Sequence, residues 1–561
     1  MHVAMLGLKF QDEPHNIAGP APTGAPILRH MTTTQPIRFF HRGQIVEVDG
    51  VHPTRSVLDW LRVDAHCTGT KEGCNEGDCG ACTVVIGSLP DGKAGGSGLQ
   101  LQTVNACIQF LPTLHGKALF TVEDLKEQAA AACAHKAARA PHDDKAPVIP
   151  LHPVQQAMVD CHGSQCGFCT PGFVMSLWST YEHHQAGGTR PTRQQLADDL
   201  SGNLCRCTGY RPILDAGQRM FDLPALKLDP APVVQALQAL GRGSALFHYS
   251  AKAPTKEPRT DHYYAPTTLA DLAALREQMP KAQLLSGSTD IGLWVNKQFR
   301  DLGDIVYVGD VAELKTITER PGPNGPELYI GAGASLEAAW RALASRFSGL
   351  VDVWLRFASL PIRNAGTMGG NVANGSPIGD SPPVLMSLDA DIELRRGSVV
   401  RRMPLTEFYI DYMKNHLQPG ELVQGVAVPL SVASRQVRAY KISKRFDCDI
   451  SALCAGFSLA LDGDTVREIR LAYGGMAGTV KRAAKAEAAL AGKPWTQANV
   501  DAAKQALAED FKPLSDMRAS AAYRMQVAQN LLQRLWLETR TVDALPTSAT
   551  SVFNVMPHLT A

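Results

Sequence analysis

Alternation of hydrophobic and polar residues predicts a small β-sheet unit near the start of the chain. The segment "IRFFHRGQIVEVDG", residues 37–50, alternates on both sides of a polar turn and predicts a β-hairpin. "SVLDWLRV" has the spacing of a short amphipathic helix, and "CTVVIGSL" and "LFTVEDL" have the pattern of further strands. Residues 33–125 are therefore predicted to form one mixed sheet with one helix.

The pattern then changes from strands to helices. Residues 126–150 begin with the Ala-rich, charged run "KEQAAAACAHKAARA" and end near prolines, which predicts a linker. Residues 151–226 show helical periodicity interrupted at Gly and Pro. A second linker is predicted over 227–258, which contains four prolines: Pro230, Pro232, Pro254 and Pro258.

Two further units complete the predicted order. Strand and helix patterns alternate over residues 259–435, and residues 436–541 hold strands around the turn "LDGDTV" before the amphipathic helix "AAYRMQVAQNLLQRLWLETR". Residues 1–32 are predicted to be a flexible extension and residues 542–561 a tail. The predicted fold class is a multidomain α+β protein.

Composition narrows the class of protein. The 561 residues are 45% hydrophobic and 19% charged, with a formal net charge of +1, so bulk charge does not favour nucleic acid or an anionic membrane as partner. No apolar run approaches the roughly 18 residues of a membrane-spanning helix. The acidic pair Asp12–Glu13 follows too short an apolar stretch for a signal peptide, so the expected location is the cytoplasm.

The thirteen cysteines are too sparse for a disulfide framework and are unevenly distributed. Five of them are expected to be small buried or incidental thiols: Cys67, Cys133, Cys161, Cys448 and Cys454. The other eight form two sets, which we call the first and the second cysteine set. The first is Cys74, Cys79, Cys82 and Cys107, and the second is Cys166, Cys169, Cys205 and Cys207.

The first cysteine set has the spacing C-x4-C-x2-C with a distant fourth cysteine, which is the plant-type pattern of a [2Fe–2S] cluster. A loop around such a cluster brings backbone amides close to sulfur, which explains the small residues Gly73, Gly77, Gly80 and Ala81. Structural zinc is the alternative, but zinc sites favour paired C-x2–4-C units, and only Cys79 and Cys82 form one here.

The second cysteine set combines "QCGFCTPGF" with "NLCRCTGYRP" at predicted helix boundaries. Thr170 is expected to cap a helix that begins at Pro171, which places Cys169 at the helix N-terminus. Two cysteine pairs suit zinc as well as an iron–sulfur cluster, so the residues alone leave both possibilities open.

Two runs of small residues follow in the next unit. No G-x-G-x-x-G follows a strand and no Walker A sequence is present, so neither a Rossmann nor a P-loop site is predicted. In "QLLSGSTDIGLWVNK" a strand leads through a small-residue turn into a helix, which is a weak signal for a pyrophosphate cradle. "IRNAGTMGGNVANGSPIGDSPP" is a longer run whose glycines permit close approach of a ligand.

The motifs "TGTKEGCNEGDCGACTV" and "CGFCTPGFVMS…NLCRCTGYRPI", in this order, resemble the iron–sulfur region of the molybdenum hydroxylases, the xanthine dehydrogenase and aldehyde oxidase family. The resemblance implies a β-grasp ferredoxin domain, a four-helix-bundle domain with a second [2Fe–2S] cluster, a non-Rossmann FAD-binding domain and a small C-terminal α+β domain. It also implies that the bundle cluster lies nearer the molybdopterin, that the ferredoxin cluster lies nearer the flavin, and that Gln165 contacts the molybdopterin of a partner subunit. The alternative for Gln165 is a surface residue.

The small-residue segments resemble the FAD-binding domain of the same family. The resemblance implies that two segments line the FAD pyrophosphate and adenosine: Leu284, Leu285, Ser286, Gly287, Ser288, Thr289, Asp290 and Ile291, and Thr367, Met368, Gly369, Gly370 and Asn371. Phe357, Asp380, Val423 and Lys441 match further flavin-contact positions. Their ordinary alternatives are core packing for Phe357 and Val423, a turn for Asp380 and the surface for Lys441.

The resemblance covers residues 33 to about 540 and includes no counterpart of the family's large molybdopterin domain. In this respect the chain is similar to the small subunit of bacterial two-subunit xanthine dehydrogenases. It implies an enzyme subunit that passes electrons from a molybdopterin-binding large subunit, which oxidises hypoxanthine to xanthine and urate, through two [2Fe–2S] clusters to FAD and then NAD⁺. No side chain of this chain is expected to be catalytic, and an α2β2 heterotetramer is implied.

Three other functions are weighed beside this one. The first is a sister hydroxylase of the aldehyde, nicotine or quinoline type, because the absent large subunit selects the substrate. The second is a stand-alone NAD(P)H-linked electron carrier without a molybdenum partner. The third is an iron sensor or scaffold that uses its clusters structurally. Co-purification of a molybdenum subunit discriminates between these classes.

Overall fold

The computed structural model describes residues 33–90, 98–137, 151–241 and 246–550. It confirms a multidomain α+β protein, in which several sheets and a helical unit pack together on apolar cores that neighbouring units share. The predicted extension 1–32 lies outside the described residues. None of the helices in the described ranges is both long and apolar enough to span a membrane.

The first unit is a five-stranded mixed sheet in the order β2-β1-β5-β3-β4, in which only the β1–β5 pair is parallel. The predicted hairpin is confirmed, and its turn at Arg42 and Gly43 has positive φ angles at both residues. The strands are β1 Ile37–His41, β2 Gln44–Val48, β3 Thr83–Ser88, β4 Gln100–Asn105 and β5 Ala118–Phe120, and the helix α1 Val57–Asp59 continues as a π-helical turn, Trp60–Asp64.

The helical unit is longer at both ends than the sequence predicts. Its helices are α2 Val122–Ala137, α3 Pro153–Asp160, α4 Thr170–Gly187, α5 Arg193–Asp199, α6 Arg211–Arg219 and α7 Pro230–Leu240. The beginning of the predicted linker 126–150 is therefore helical, since the alanines there favour a helix. The predicted linker 227–258 holds α7 and the next strand, because Pro230 and Pro232 occupy the first turn, where no amide is needed.

One predicted helix cap is wrong. The N-cap of α4 is Cys169, Thr170 is the first helical residue, and its hydroxyl lies 2.8 Å from Ser164 Oγ instead of bonding a backbone amide of the first turn. Trp178 and Tyr181 on the same helix are fully buried in the core of the helical unit.

The third unit contains two sheets joined by helices. A four-stranded sheet has the order β6-β7-β9-β8, and a five-stranded antiparallel sheet has the order β10-β11-β16-β12-β13. The first sheet and its helices are β6 Leu246–Lys252, β7 Thr260–Pro266, α8 Leu269–Gln278, β8 Gln283–Leu285, α9 Ile291–Asn296 and β9 Ile305–Tyr307. The second group is β10 Ile317–Gly322, β11 Gly325–Gly331, α10 Leu336–Ala344, α11 Val351–Arg356, α12 Leu360–Ala365, α13 Met368–Ala373, α14 Ser381–Ser387, β12 Asp391–Arg396, β13 Val399–Pro404, the hairpin β14 Tyr409–Asp411 and β15 Lys414–Asn415, and β16 Leu422–Pro429.

The last unit is a four-stranded antiparallel sheet covered by helices. Its elements are β17 Gln436–Ile442, β18 Leu453–Asp462, β19 Thr465–Gly474, β20 Lys481–Arg482, α15 Ala484–Leu490, α16 Gln497–Asp510, α17 Ala521–Thr539 and α18 Thr547–Thr550. The predicted amphipathic C-terminal helix is α17, which buries Leu531, Leu532 and Leu535. The start of the predicted tail is ordered against it, since the Leu545 amide donates to the Leu537 carbonyl at 2.7 Å.

Candidate functional site

The structure brings the first cysteine set together in the loop before β3 and the turn after β4. Cys82 and Cys107 are fully buried, and Cys74 and Cys79 are partly buried. The Cys79 amide donates to Cys74 Sγ at 3.4 Å, and Cys107 Sγ interacts with the sulfurs of both Cys74 and Cys82. The four thiols therefore surround one small volume.

The glycines of this loop have the role that the sequence predicts. Gly77 and Gly80 have φ angles of +76° and +68°, in the region that side chains rarely adopt. A Cβ at Gly73 would lie 2.8 Å from Cys79 Sγ, so a larger residue would occupy space beside the sulfur. Glycine at these positions thus lets the loop fold closely around the thiols.

The pKa values of these thiols reflect how closely they are packed. The Cys107 and Cys79 thiols, followed by backbone amides, hold the pKa of Cys74 far below its ordinary value. The interactions with Cys74 raise the pKa values of Cys79 and Cys107 far above theirs. Four crowded thiols with one favoured thiolate are the donor set that binds iron or zinc once deprotonated.

Over the described ranges, no group of three or more His, Cys, Asp and Glu side chains has the arrangement that holds a single metal ion. A [2Fe–2S] cluster divides its four thiolates between two irons and does not need such a group. The four gathered thiols are the donor type that such a cluster needs, and a cluster at the first cysteine set stays a prediction from its spacing.

The second cysteine set is more exposed. Cys166 and Cys207 are exposed, whereas Cys205 is buried and Cys169 partly buried. The sulfurs of Cys166 and Cys207 interact, and those of Cys169 and Cys205 form a second pair. The structure thus gathers these four cysteines at the N-termini of α4 and α6.

Local hydrogen bonds differentiate these thiols. Burial favours the neutral Cys205 thiol, but its hydrogen bonds with the Thr208 hydroxyl at 3.2 Å and from the Thr208 amide at 3.5 Å lower its pKa overall. Burial raises the pKa of Cys169 to about 12. At Cys166 the Phe168 amide is the main cause of a lowered pKa. Amides and hydroxyls directed at sulfur stabilise thiolates in a metal cluster.

The two cysteine sets belong to adjoining units that touch directly. The Leu204 amide, next to Cys205, donates to the Cys79 carbonyl at 3.0 Å. Gly80 packs against Gly172 and Gly202 so closely that a Cβ on any of the three would overlap a neighbouring residue. Cys79 of the first set is thereby hydrogen-bonded to the residue that precedes Cys205 of the second set.

The two small-residue segments of the third unit also lie together. The turn after β8 meets the start of α13, where Ser286 Oγ donates to Thr367 Oγ1 at 3.1 Å. Thr367 is the N-cap of α13 and accepts from the Gly370 amide at 3.2 Å. A Cβ at Gly287 would overlap the Ala365 carbonyl, so only glycine allows these segments to approach. The two predicted segments are thus in direct contact.

Two buried polar atoms of these two segments have no partner among the described residues: Ser288 Oγ and Asn371 Oδ1. Ser288 also has a φ angle of +63°, which is strained for a residue with a side chain. Because buried polar groups are nearly always hydrogen-bonded, two such atoms, one in the turn after β8 and one in α13, indicate a polar ligand. This observation fits the pyrophosphate or ribose of FAD.

The four remaining predicted flavin residues are all buried. Phe357 packs against Trp340 in the core, with ring centroids 5.9 Å apart, and Val423 lies in β16. Lys441 is not on the surface: its Nζ lies 2.5 Å from Asp380 Oδ2 and donates to Ser451 Oγ at 2.8 Å. Ser451 donates to Asp380 Oδ1 at 2.6 Å, so both carboxylate oxygens of Asp380 have hydrogen-bond partners within the protein. Direct flavin contact by these residues stays a prediction.

We call residues 284–297, which contain the first run of predicted FAD residues, the flavin segment. This segment contacts the first cysteine set through the end of α9. Asn296 Nδ2 donates to the Cys107 carbonyl at 2.8 Å, and Lys297 Nζ donates to the Cys74 carbonyl at 2.6 Å. The sequence did not mark Asn296 or Lys297 as functional residues. It also did not mark Ser451, which bonds to Lys441 and Asp380, or Asn203, which bonds to Gly80 of the first cysteine loop. A polar residue at a helix end carries no local signal of which distant loop it reaches.

Comparison with known proteins gives three domain matches along this chain. Residues 141–218 match a family described as "[2Fe-2S] binding domain", and residues 256–431 match "FAD binding domain in molybdopterin dehydrogenase". Residues 438–539 match "CO dehydrogenase flavoprotein C-terminal domain". These matches support an iron–sulfur cluster and FAD as cofactors.

Curated relatives match over most of this chain. A xanthine dehydrogenase of Emericella nidulans is 30% identical and aldehyde oxidase 4 of Cavia porcellus 28% identical, each over 90% of this chain. The chain spans 39% of the length of both relatives. Among solved structures, a Cu,Mo-CO dehydrogenase chain is 25% identical, with a TM-score of 0.45, and covers 48% of this chain and 94% of its own. A quinoline 2-oxidoreductase from Pseudomonas putida 86 is 22% identical, with a TM-score of 0.46. The match covers 50% of this chain and 98% of the chain in that structure.

Proposed function

We propose that this chain belongs to the molybdenum hydroxylase family and is the electron-transfer subunit of a xanthine dehydrogenase. It would receive electrons from a partner subunit that carries molybdopterin and oxidises hypoxanthine and xanthine. The electrons would pass through two [2Fe–2S] clusters and FAD to NAD⁺. The three domain matches and the relative at 30% identity support this function.

One observation carries the proposal: the three candidate cofactor sites touch in a fixed order. The Leu204 amide joins the second cysteine set to Cys79 of the first, and Asn296 and Lys297 join the first set to the flavin segment. Electron tunnelling weakens steeply with distance, so an unbroken series of contacts favours transfer along it. The order is second set, first set, flavin.

Exposure indicates the end at which electrons enter. Cys166 and Cys207 of the second set are exposed, and Phe168 and Tyr210 beside them leave 47% and 40% of their surfaces accessible. Gln165 is exposed next to Cys166. This face suits a molybdopterin-binding subunit, with Gln165 at the contact, in an α2β2 assembly.

The residues of this chain bind and orient cofactors and perform no acid–base step. When bound, FAD exchanges single electrons with iron–sulfur clusters and transfers a hydride to NAD⁺. The glycine turns would hold its phosphates, and Ser288 and Asn371 would supply polar atoms that have no other partner among the described residues. Cys82 and Cys107 are buried, so they would limit the access of water to a cluster held by the first cysteine set.

Aldehyde oxidation is the second candidate, because aldehyde oxidase 4 of Cavia porcellus is nearly as similar to this chain as the xanthine dehydrogenase. The relay would be the same in either case. The partner subunit alone would select purine or aldehyde.

The experiment is an anaerobic visible spectrum of the protein isolated from its native cells with any bound partner. Xanthine, an aldehyde such as benzaldehyde, and NADH are added separately. Bleaching of the flavin and cluster bands by xanthine is the expected result, and it would be reversed by NAD⁺.

Three other outcomes change the proposal. Bleaching by the aldehyde but not by xanthine would replace the purine substrate and leave the relay. Bleaching by NADH alone in a preparation that retains its molybdenum subunit would exclude both substrates. A spectrum without flavin or cluster bands would contradict the cofactor assignment.

A further inference from the structure

A single buried asparagine lies between the two cysteine sets. Asn203 is 2% exposed and precedes Cys205 by two residues. Its amide nitrogen donates to the Gly80 carbonyl at 3.0 Å and to Thr83 Oγ1 at 3.1 Å. Its amide oxygen accepts from Ser176 Oγ at 2.6 Å. The side chain therefore bonds to the loop of the first set and to helix α4 of the second.

The bonds of Asn203 are not those of an ordinary turn residue. Its backbone amide donates to the Leu200 carbonyl at 2.9 Å, so the turn is closed by the main chain. The side chain instead reaches across a domain boundary to Gly80, 123 residues earlier in the sequence. A turn asparagine would bond its own neighbouring backbone.

The surrounding packing makes this contact inflexible. Gly80 lies between the ligand residues Cys79 and Cys82, and has no room for a Cβ because Gly202 and Asn203 lie against it. An amide that is buried without partners is costly, so separating the loops would leave the Asn203 amide nitrogen unsatisfied, whereas the Gly80 carbonyl would keep its bonds from the Thr83 amide and hydroxyl. The side chain therefore resists any change in the spacing of the two loops.

We propose that Asn203 is a positioning residue that fixes the separation and relative orientation of the two [2Fe–2S] clusters. The inference rests on the proposed function, since it requires a cluster at each cysteine set. It concerns a residue that is not a cysteine and contacts no cluster ligand by its side chain. Loss of the two donated hydrogen bonds would let one loop shift relative to the other while each cluster keeps its four thiolates.

The measurement is electron paramagnetic resonance of the full chain with its cofactors, fully reduced with dithionite. Two reduced clusters at fixed separation split each other's signals, and this dipolar splitting falls with the cube of their distance. Asn203→Asp keeps the shape and the bond from Ser176 but removes both donated bonds. We expect a loss or broadening of the splitting, while each cluster's own signal in a half-reduced sample keeps its g values.

Ser176→Ala is the matched control, because it removes the third bond of Asn203 and leaves both donated bonds in place. It should keep the wild-type splitting. Equal changes in both variants would assign the effect to general packing and overturn the proposal. Unchanged splitting in Asn203→Asp with both clusters present would also overturn it.

Thr83→Val decides the question if Asn203→Asp does not fold with both clusters. This substitution removes Thr83 Oγ1, which is one of the two acceptors of the Asn203 amide. The dipolar splitting between the two clusters is expected to become narrower or broader. An unchanged splitting would then overturn the proposal. A wild-type protein without two cluster signals would contradict the proposed function instead, so the two failures are distinguishable.

Discussion

Cys74 has neighbours that favour a thiolate more strongly than any other cysteine of the first set. The thiols of Cys107 and Cys79 and the Cys79 amide all interact with its sulfur and lower its pKa. Such a group binds a metal readily and is the clearest single residue with which to test the ligand set.

We expect Cys74→Ala to remove the first cluster and leave FAD in place. The iron content of the purified chain should fall by about half, since one of two [2Fe–2S] clusters is lost. Iron analysis and the paramagnetic resonance signal measure this, with flavin absorbance as reference. Cys161→Ser, outside both sets, is the control; full iron content in Cys74→Ala would contradict the ligand assignment.

Lys441 and Asp380 form a buried ion pair that only the structure reveals. Both are nearly inaccessible, and Ser451 bonds to both of them. Removing one member of such a pair leaves a buried charge without its partner.

Lys441→Met should therefore lower the free energy of unfolding by about 3–5 kcal/mol. The double variant Lys441→Met with Asp380→Asn should recover part of this loss, because it removes both charges. Urea unfolding of the four proteins of the cycle checks the expectation. Strictly additive losses would show that the pair contributes no coupling, and unchanged flavin content in folded Lys441→Met would count against its predicted flavin contact.

At the scale of elements, two short helices carry the candidate flavin residues: α9, which follows the turn after β8, and α13. The turn after β8 and the start of α13 approach so closely that Gly287 packs on the Ala365 carbonyl. Their small residues were visible in the sequence, whereas the pairing of the two turns depends on the sheet and helices that carry them.

Gly287→Ala should lose bound FAD while both cluster signals remain. The added Cβ would overlap the Ala365 carbonyl, so the two turns must separate. Flavin content per chain, determined after denaturation, is the measurement. Gly187→Ala is the matched control, since its nearest neighbour would be Thr189 Oγ1 at 3.6 Å; normal flavin content in Gly287→Ala would refute the assignment of this turn.

The end of α9 connects the candidate flavin residues with the first cysteine set. Lys297 Nζ donates to the Cys74 carbonyl, so its positive charge lies next to the first cluster's ligand loop. A nearby positive charge stabilises the reduced cluster, which carries one more negative charge than the oxidised cluster.

Lys297→Met should lower the reduction potential of the first cluster and leave that of the second unchanged. The shift should be about 20–40 mV, because the side chain is partly exposed and 59 mV corresponds to about 1.4 kcal/mol for one electron. Redox titration followed by paramagnetic resonance resolves the two clusters. Lys493→Met, at an exposed position of the last unit, is the control; equal shifts of both clusters would point to a global change.

At the scale of the whole molecule, the helical unit is joined to the flavin unit by residues that bond back to α4. The Leu228 amide donates to Glu182 Oε1 at 3.0 Å, and the Leu226 amide donates to Tyr181 Oη at 3.2 Å. Burial raises the pKa of Glu182 to about 7 from an ordinary value of 4.5.

This raised pKa predicts a pH dependence of stability. Between pH 4.5 and pH 7 the folded protein retains a proton at Glu182 that the unfolded chain has lost, so stability falls as pH rises through this window. Glu182→Gln lacks this contribution. Between pH 5.5 and pH 8.5, its free energy of unfolding should therefore rise by about 2 kcal/mol relative to that of the unmodified protein. Urea unfolding at both pH values is the measurement, with Glu257→Gln as an exposed control; parallel pH profiles would contradict the expectation.

The sequence by itself determined the cysteine sets, the glycine turns and the α+β class. These features are local: Cys74, Cys79, Cys82 and the glycines between them lie within one loop, so short spacings along the sequence identify them. The periodicity of α17 and the hairpin of β1 and β2 were likewise set by neighbouring residues. Helical linker segments were missed where prolines at the first turn of a helix resembled a break.

The tertiary structure alone decided which units touch and through which side chains. Asn203 meets Gly80 across 123 residues and Asn296 meets Asn75 across 221, and no local pattern marks either pair. The burial of Lys441 against Asp380 was equally invisible. A polar residue acquires such a partner only when separately folded units pack together, because the cost of burying it is offset by a bond that the distant unit supplies.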